Sequence, residues 1–237
     1  MMTYLNEKSR LYIKLKRTIP PFNKKQMFTF TPDQRRQFAA DIDGHYIAHT
    51  DKTIVLVGLM GSGKTALGKR LAVALKRDFI DSDQLIEQQA GLSVRDIFEL
   101  SGEAKFREIE RATILKQVTG PPVILSTGGG AFCDPVSRDE IRKYAVSIWL
   151  DATPKNLLRR IGNTASRPLL ANGDPLTILS ELRARRRPDY EQADLHVRTG
   201  RHSRRMSMKK ILNILEKNSY IERLTDGRSD GEPAQKA

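Results

Sequence analysis

The sequence predicts an α/β fold of three layers, α/β/α, with a five-stranded parallel sheet. Three observations predict it. Short apolar runs rich in β-branched residues recur through the middle of the chain, as strands buried on both faces require. Between them, apolar residues fall at helical spacing. Gly, Pro and Asp-Pro or Thr-Pro pairs punctuate the two kinds of segment. Alternation of this kind argues for strands joined by crossover helices.

Each element has its own signal. TIVLVGL, from Thr53, is a continuous apolar run and reads as the first buried strand. Leu67, Leu71, Ala74 and Leu75 then mark one face of a helix that starts after Gly63. The short run DFI is a second strand, and Val94, Ile97 and Phe98 mark a helix ending near Ser101-Gly102. Phe106, Ile109 and the residues to Val118 predict a further helix. PPVILST is the next strand, stopped by Gly128, Gly129 and Gly130, and AVSIWL is another. Thr153-Pro154 and Asp174-Pro175 have the form of an N-cap followed by proline at the first helical position. LHVRT is the last strand, and Met208, Ile211, Leu212 and Leu215 line a closing helix.

These elements fill one domain over residues 51–217 of the 237-residue chain. Residues 1–50 read as a basic, disordered extension and residues 218–237 as a disordered tail rich in Gly, Pro and charge. The net charge is +13, and residues 1–32 hold seven Lys or Arg against one acid, so nearly half the excess sits in that extension. A solvated tail is the plain reading. A nucleic-acid or membrane arm, a targeting peptide, or an over-long start before Met27 are the alternatives. No apolar run reaches the ~18 residues needed to span a bilayer, which excludes a helical membrane protein. A single cysteine, Cys133, excludes an intrachain disulfide and fits a reducing compartment. The four histidines show no metal-ligand spacing.

One motif carries chemistry by itself. GLMGSGKT, Gly58 to Thr65, matches the phosphate-cradling loop G-x-x-x-x-G-K-[ST], placed between a strand and a helix as the motif demands. Backbone amides of Gly61, Ser62, Gly63, Lys64, Thr65 and Ala66 would face phosphates at a helix N-terminus. Lys64 brings a point charge to the β and γ phosphates, and the Thr65 hydroxyl suits Mg²⁺. The loop implies ATP with Mg²⁺ but leaves the acceptor open. The chain lacks an N-K-x-D base-reading motif and a hydrophobic run ending in Asp-Glu. The second strand instead ends in Asp81-Ser82-Asp83, and the third in a triple glycine. Acids and a bare backbone at the carboxyl ends of parallel strands suit a small acceptor molecule.

The ordered pieces GLMGSGKTALGKRLA, FIDSDQLIEQQAGLSVRDIFELSGEAKFREIE, STGGGAF, NTASRPLL and RRRPDYEQAD resemble shikimate kinase, a family with a P-loop kinase fold. The resemblance runs from about Thr53 to Leu215. It implies an ATP- and Mg²⁺-dependent kinase that phosphorylates the 3-hydroxyl of shikimate in chorismate and aromatic amino-acid biosynthesis. It implies a monomer in the cytoplasm, without a membrane or nucleic-acid partner. Asp83 matches the base and hydroxyl ligand, and Asp81 the metal-side acid. Arg107 and Arg186 match carboxylate-binding arginines, which suit the job through their planar forks. Gly128, Gly129 and Gly130 match the substrate-contacting turn. The substrate-binding region falls at about 83–110 and the lid at about 162–175. Arg167 matches the lid arginine that reaches the phosphates, and Arg160 a position beside the adenine. Glu110 matches an acid that orients an arginine. A gluconate-type or other small-molecule P-loop kinase is the alternative. Two readings from the residues stay open: Asp81 could cap the following helix, and Arg183, Arg185 and Arg187 compete with Arg186 for its register.

Overall fold

The computed structural model describes residues 30–162, 168–170, 173–200 and 203–224. Five strands form a wholly parallel sheet in the order β3-β4-β2-β5-β6. They are β2 (Thr53–Val57), β3 (Asp78–Asp81), β4 (Val123–Ser126), β5 (Ala145–Asp151) and β6 (Leu195–Arg198), numbered after an outlying β1 (His45–Ala48). Every residue of β2 is buried, because this strand is central and covered on both faces. Its side chains divide by the period of two. Val55 and Val57 join one core with Leu125, Trp149, Leu157, Leu179 and Tyr190. Ile54 and Leu56 join another with Leu67, Leu71, Ile148, Met208 and Ile211. Each such side chain contributes roughly 1.5–3 kcal/mol of transfer free energy on burial.

The helices supply the other half of each core. On one side lie α2 (Lys64–Ala74) and α8 (Arg204–Lys217). On the other lie α4 (Val94–Val118), α5 (Pro135–Tyr144), α6 (Pro154–Ile161) and α7 (Pro175–Tyr190). The short α3 (Ser82–Ala90) packs on α4 on either side of Gly102, through Ile86, Ile97, Phe106 and Ile109. Gly102, at φ 77° and ψ 169°, breaks α4 into two helical stretches at the expected place. The cap signals hold in different degrees. Asp174 accepts a bond from the Thr177 amide at 2.9 Å, whereas Thr153 occupies its N-cap position without a side-chain bond.

The sheet and its layers match the expected class, but the boundaries at 50 and 217 fall inside ordered structure. Pro32–Ala39 forms a helix, α1, closed at its start by a reciprocal capping box between Thr31 and Gln34. β1 pairs antiparallel with β7 (Ile221–Leu224), a two-stranded ribbon joining the two ends of the domain. Phe30, Tyr46 and Ile221 are buried against the core that holds Leu71 and Leu215. Composition hid this layer: α1 is mostly polar, with Phe38 its one large apolar residue, and strands of four residues carry little periodic signal. Residues 1–29 and 225–237, to which the basic-arm and tail readings mostly belong, lie outside the described residues. Among the described residues, no helix is long and apolar enough to cross a membrane.

Candidate active site

The parallel sheet sends the carboxyl ends of β2, β3 and β4 to one edge, and the chemistry gathers there. The loop after β2 turns sharply into α2. Gly61 sits at φ 75°, and a Cβ there would lie 2.8 Å from the Leu157 carbonyl oxygen of α6. Only glycine lets the loop lie this close to its neighbour. Gly63 is the N-cap of α2, so the amides of Lys64, Thr65 and Ala66 begin the helix and point outward. Lys64 Nζ donates to the carbonyls of Gly58 at 2.8 Å and Leu59 at 3.0 Å. The ammonium thus lies across the loop that it would serve.

The two acids of the DSD stretch have different surroundings. Asp81 ends β3 and caps α3: its carboxylate accepts from the Asp83 amide at 3.2 Å and from Thr65 Oγ1 at 2.9 Å. Capping and facing the phosphate loop are therefore one arrangement, not alternatives. Asp83 lies two residues further, inside the first turn of α3. Among the described residues its carboxylate accepts no hydrogen bond. Burial, then the neighbouring charges of Asp81 and Glu110, push its pKa up to about 6.

The triple glycine after β4 meets these acids directly. A Cβ at Gly128 would lie 2.8 Å from Asp83 Oδ1 and 2.9 Å from Glu110 Oε1. One at Gly130 would lie 2.8 Å from Arg107 Nη2. Any larger residue would displace the charged groups. Ser82, fully buried, accepts from the Gly128 amide at 3.2 Å and pins the turn to the start of α3. Arg107 donates to Glu110 at 2.6 Å and to Glu103 at 3.2 Å. Glu110 is 1% exposed, and burial raises its pKa against the pull of Arg107.

The arginine cluster on α7 is resolved by its partners. Arg183 makes a forked pair with Asp151, at 3.0 and 2.9 Å. Arg187 bonds Glu191 at 2.6 Å on the outer surface, and Arg185 is exposed. Arg186 instead donates to the Gly129 carbonyl at 2.9 Å. Tyr190, four residues on and therefore on the same helix face, donates its hydroxyl to that carbonyl too. Tyr190 is absent from the residues expected of the site. Its only sequence signal is that spacing in RRRPDY.

Arg160 is committed to the backbone around the loop. It donates to Ser62 O at 3.2 Å, Thr199 Oγ1 at 3.1 Å and Gly200 O at 2.6 Å. It also lines the cleft of about 930 Å³ that runs from the phosphate loop past Asp81 and Asp83 to Gly129. Arg95, Arg204 and Ser207 line this cleft as well, and none was singled out from the sequence. Arg167, Asn163, Thr164 and Asn172 of the expected lid lie outside the described residues. The Thr65 hydroxyl and Asp81 carboxylate fit Mg²⁺, which takes hard oxygen donors and often only one or two protein groups beside phosphate oxygens.

Comparison with known proteins gives the family. The family model described as shikimate kinase matches residues 60–216. A shikimate kinase of Paramagnetospirillum magneticum is 49% identical over 146 residues, covering 62% of this chain and 75% of that protein. One from Caulobacter vibrioides is 44% identical over 164 residues, covering 69% and 82%. Among solved structures, the shikimate kinase from Acinetobacter baumannii in complex with shikimate superposes with a TM-score of 0.68 at 34% identity. That match covers 71% of this chain and 95% of the other. By its phosphate loop, its sheet order and this match along most of the domain, the chain belongs to the shikimate kinase family.

Proposed function

We propose that the chain transfers the γ-phosphoryl group of ATP to the 3-hydroxyl of shikimate, giving shikimate 3-phosphate and ADP. One observation carries the reading. A partly desolvated carboxylate, Asp83, and two guanidinium groups, Arg107 and Arg186, surround a bare glycine turn beside a phosphate loop. The acceptor needs a group that takes a hydroxyl proton and cations that hold a carboxylate. Both are present on one edge of the sheet.

Asp83 accepts the proton of the attacking hydroxyl as that oxygen bonds to the γ-phosphorus and the bond to ADP breaks. A carboxyl with a pKa of about 6 is ionised at neutral pH yet more basic than an ordinary one. Arg107 and Arg186 hold the substrate carboxylate by paired N–H donors, and Glu110 keeps Arg107 turned toward the glycines. The amides of Gly61 to Ala66 and the Lys64 ammonium bind the phosphates and take up charge that develops on the transferred group. Arg167 adds to that charge uptake, a role assigned by its place in the motif SRPLL. Arg160, which lines the cleft, is assigned to the base end of the nucleotide by its match to the family position. Thr65 and Asp81 would hold Mg²⁺, which when bound neutralises charge on the β and γ oxygens.

The test is ADP release by the purified chain with and without shikimate, beside gluconate and other polyols. Strong stimulation by shikimate alone is expected. No stimulation from protein that is folded and binds ATP would overturn the proposal.

A further inference from the structure

The nucleotide cleft has two walls built from helix starts. One is the first turn of α2, where Thr65, Ala66 and Leu67 line it. The other is the first turn of α8, where Arg204 and Ser207 line it. Both helices are gripped from outside the segment that the family model matches, by two aspartates two residues apart.

Asp41 holds α2. The Arg70 side chain is 6% exposed, and its Nε donates to Asp41 Oδ2 at 2.5 Å. The same guanidinium donates through Nη1 to the Ala66 carbonyl at 2.8 Å, in the turn that lines the cleft. Its carbon lies 4.7 Å from the centre of the Phe38 ring, and Phe38 packs edge-on against Phe30. A cation this deeply buried depends on its partner, so Arg70 is located by Asp41. Asp43 holds α8. Its carboxylate pairs with Arg205, between the two cleft-lining residues, while its carbonyl accepts from the Tyr46 hydroxyl at 3.0 Å. Tyr46 belongs to β1, which β7 pairs in register. The ribbon thus anchors the segment that touches both walls.

We propose that Asp41 and Asp43 are positioning residues: they set the separation of α2 and α8 across the cleft and so tune nucleotide affinity from outside the family's shared segment. The inference rests on reading this cleft as the nucleotide site. Asp41 carries the larger share, because its partner is buried while Arg205 is 60% exposed.

The experiment uses the full chain and titrates ADP by calorimetry, with KM values for ATP and shikimate measured in parallel. Asp41→Ala is expected to weaken ADP and raise the ATP KM by about tenfold, an ordinary size for coupling between separate sites. The shikimate KM should stay within about twofold, because the glycine turn and its arginines are not touched by this layer. The double variant Asp41→Leu with Arg70→Met removes the buried charge as well as its partner. It should regain thermal stability but keep the weak ADP binding. If ADP affinity returns with stability, or both KM values rise alike, the role is merely structural and the proposal is overturned. Should Asp41→Ala fail to fold, the surface variant Asp43→Ala decides, with an expected loss of about threefold. Wild-type ADP affinity in both Asp43→Ala and the double variant would overturn the proposal. Failure of the wild-type chain to bind ADP would instead overturn the nucleotide reading of the cleft.

Discussion

Asp83→Asn should make the protein more stable and nearly inactive. The carboxyl is lifted from an ordinary 3.8 to about 6, chiefly by burial and then by the charges of Asp81 and Glu110. At about 1.36 kcal/mol per tenfold change in acidity, holding it ionised in the fold costs up to about 3 kcal/mol. Partial solvent access and relaxation reduce that to about 1–3 kcal/mol. The sign follows from linkage. The folded pKa is raised, so the folded state binds the proton more tightly than the unfolded state between 3.8 and about 6. The cost is absent below 3.8 and complete above about 6. Asparagine has the same shape without the charge. The variant should therefore melt roughly 3–10 °C higher at pH 8, with most of that gain gone by pH 4, for a domain of this size. Its kcat should fall by at least ~100-fold, the usual loss of a positioned base, while ADP still binds. Paired melting curves across pH and steady-state rates test both halves. A melting difference that does not change with pH would refute the desolvation argument. Wild-type turnover would refute the role of base.

Four further outcomes follow from the same geometry. In the wild-type chain, kcat/KM should fall on the acid side with a midpoint near the Asp83 value of about 6, read from a pH–rate profile. Gly128→Ala places a methyl against Asp83 and Glu110, so kcat should fall on the order of 100-fold with ADP affinity retained. Arg186→Lys should raise the shikimate KM by about tenfold or more, since an ammonium cannot reproduce the planar fork; an unchanged KM would move the role to a neighbouring arginine. Arg183→Gln breaks the forked pair with Asp151 and should lower the melting temperature while leaving the shikimate KM within about twofold.

The sheet, the phosphate loop and the two acids were legible because local rules govern them. Val55 and its neighbours announce a central strand by being apolar on both faces. The glycines and Lys64 announce an anion by spacing alone. Asp81 and Asp83 announce a site because they follow the second strand directly. Four other features were not legible. The outer layer of α1, β1 and β7 was read as tail, since its elements are short and polar and gain their order from packing on a core built elsewhere. Tyr190 went unnoticed because a buried tyrosine is ordinary until its hydroxyl is seen on Gly129. Asp41 and Asp43 fell within the segment read as a disordered extension. Among the four arginines between 183 and 187, only resemblance to a motif singled out Arg186, and its register stayed open.

By itself, then, the sequence determined the fold class, the anion site and the pair of acids, because each depends on residues close together in the chain. Tertiary structure fixed the register that turns Arg186 to the glycine turn, and it alone decided that Glu110 and Asp83 share one small space and that residues 41 and 43 reach both walls of the cleft. Those facts depend on distances between segments up to 162 positions apart. Such distances are set by how the layers pack, and no local spacing encodes them.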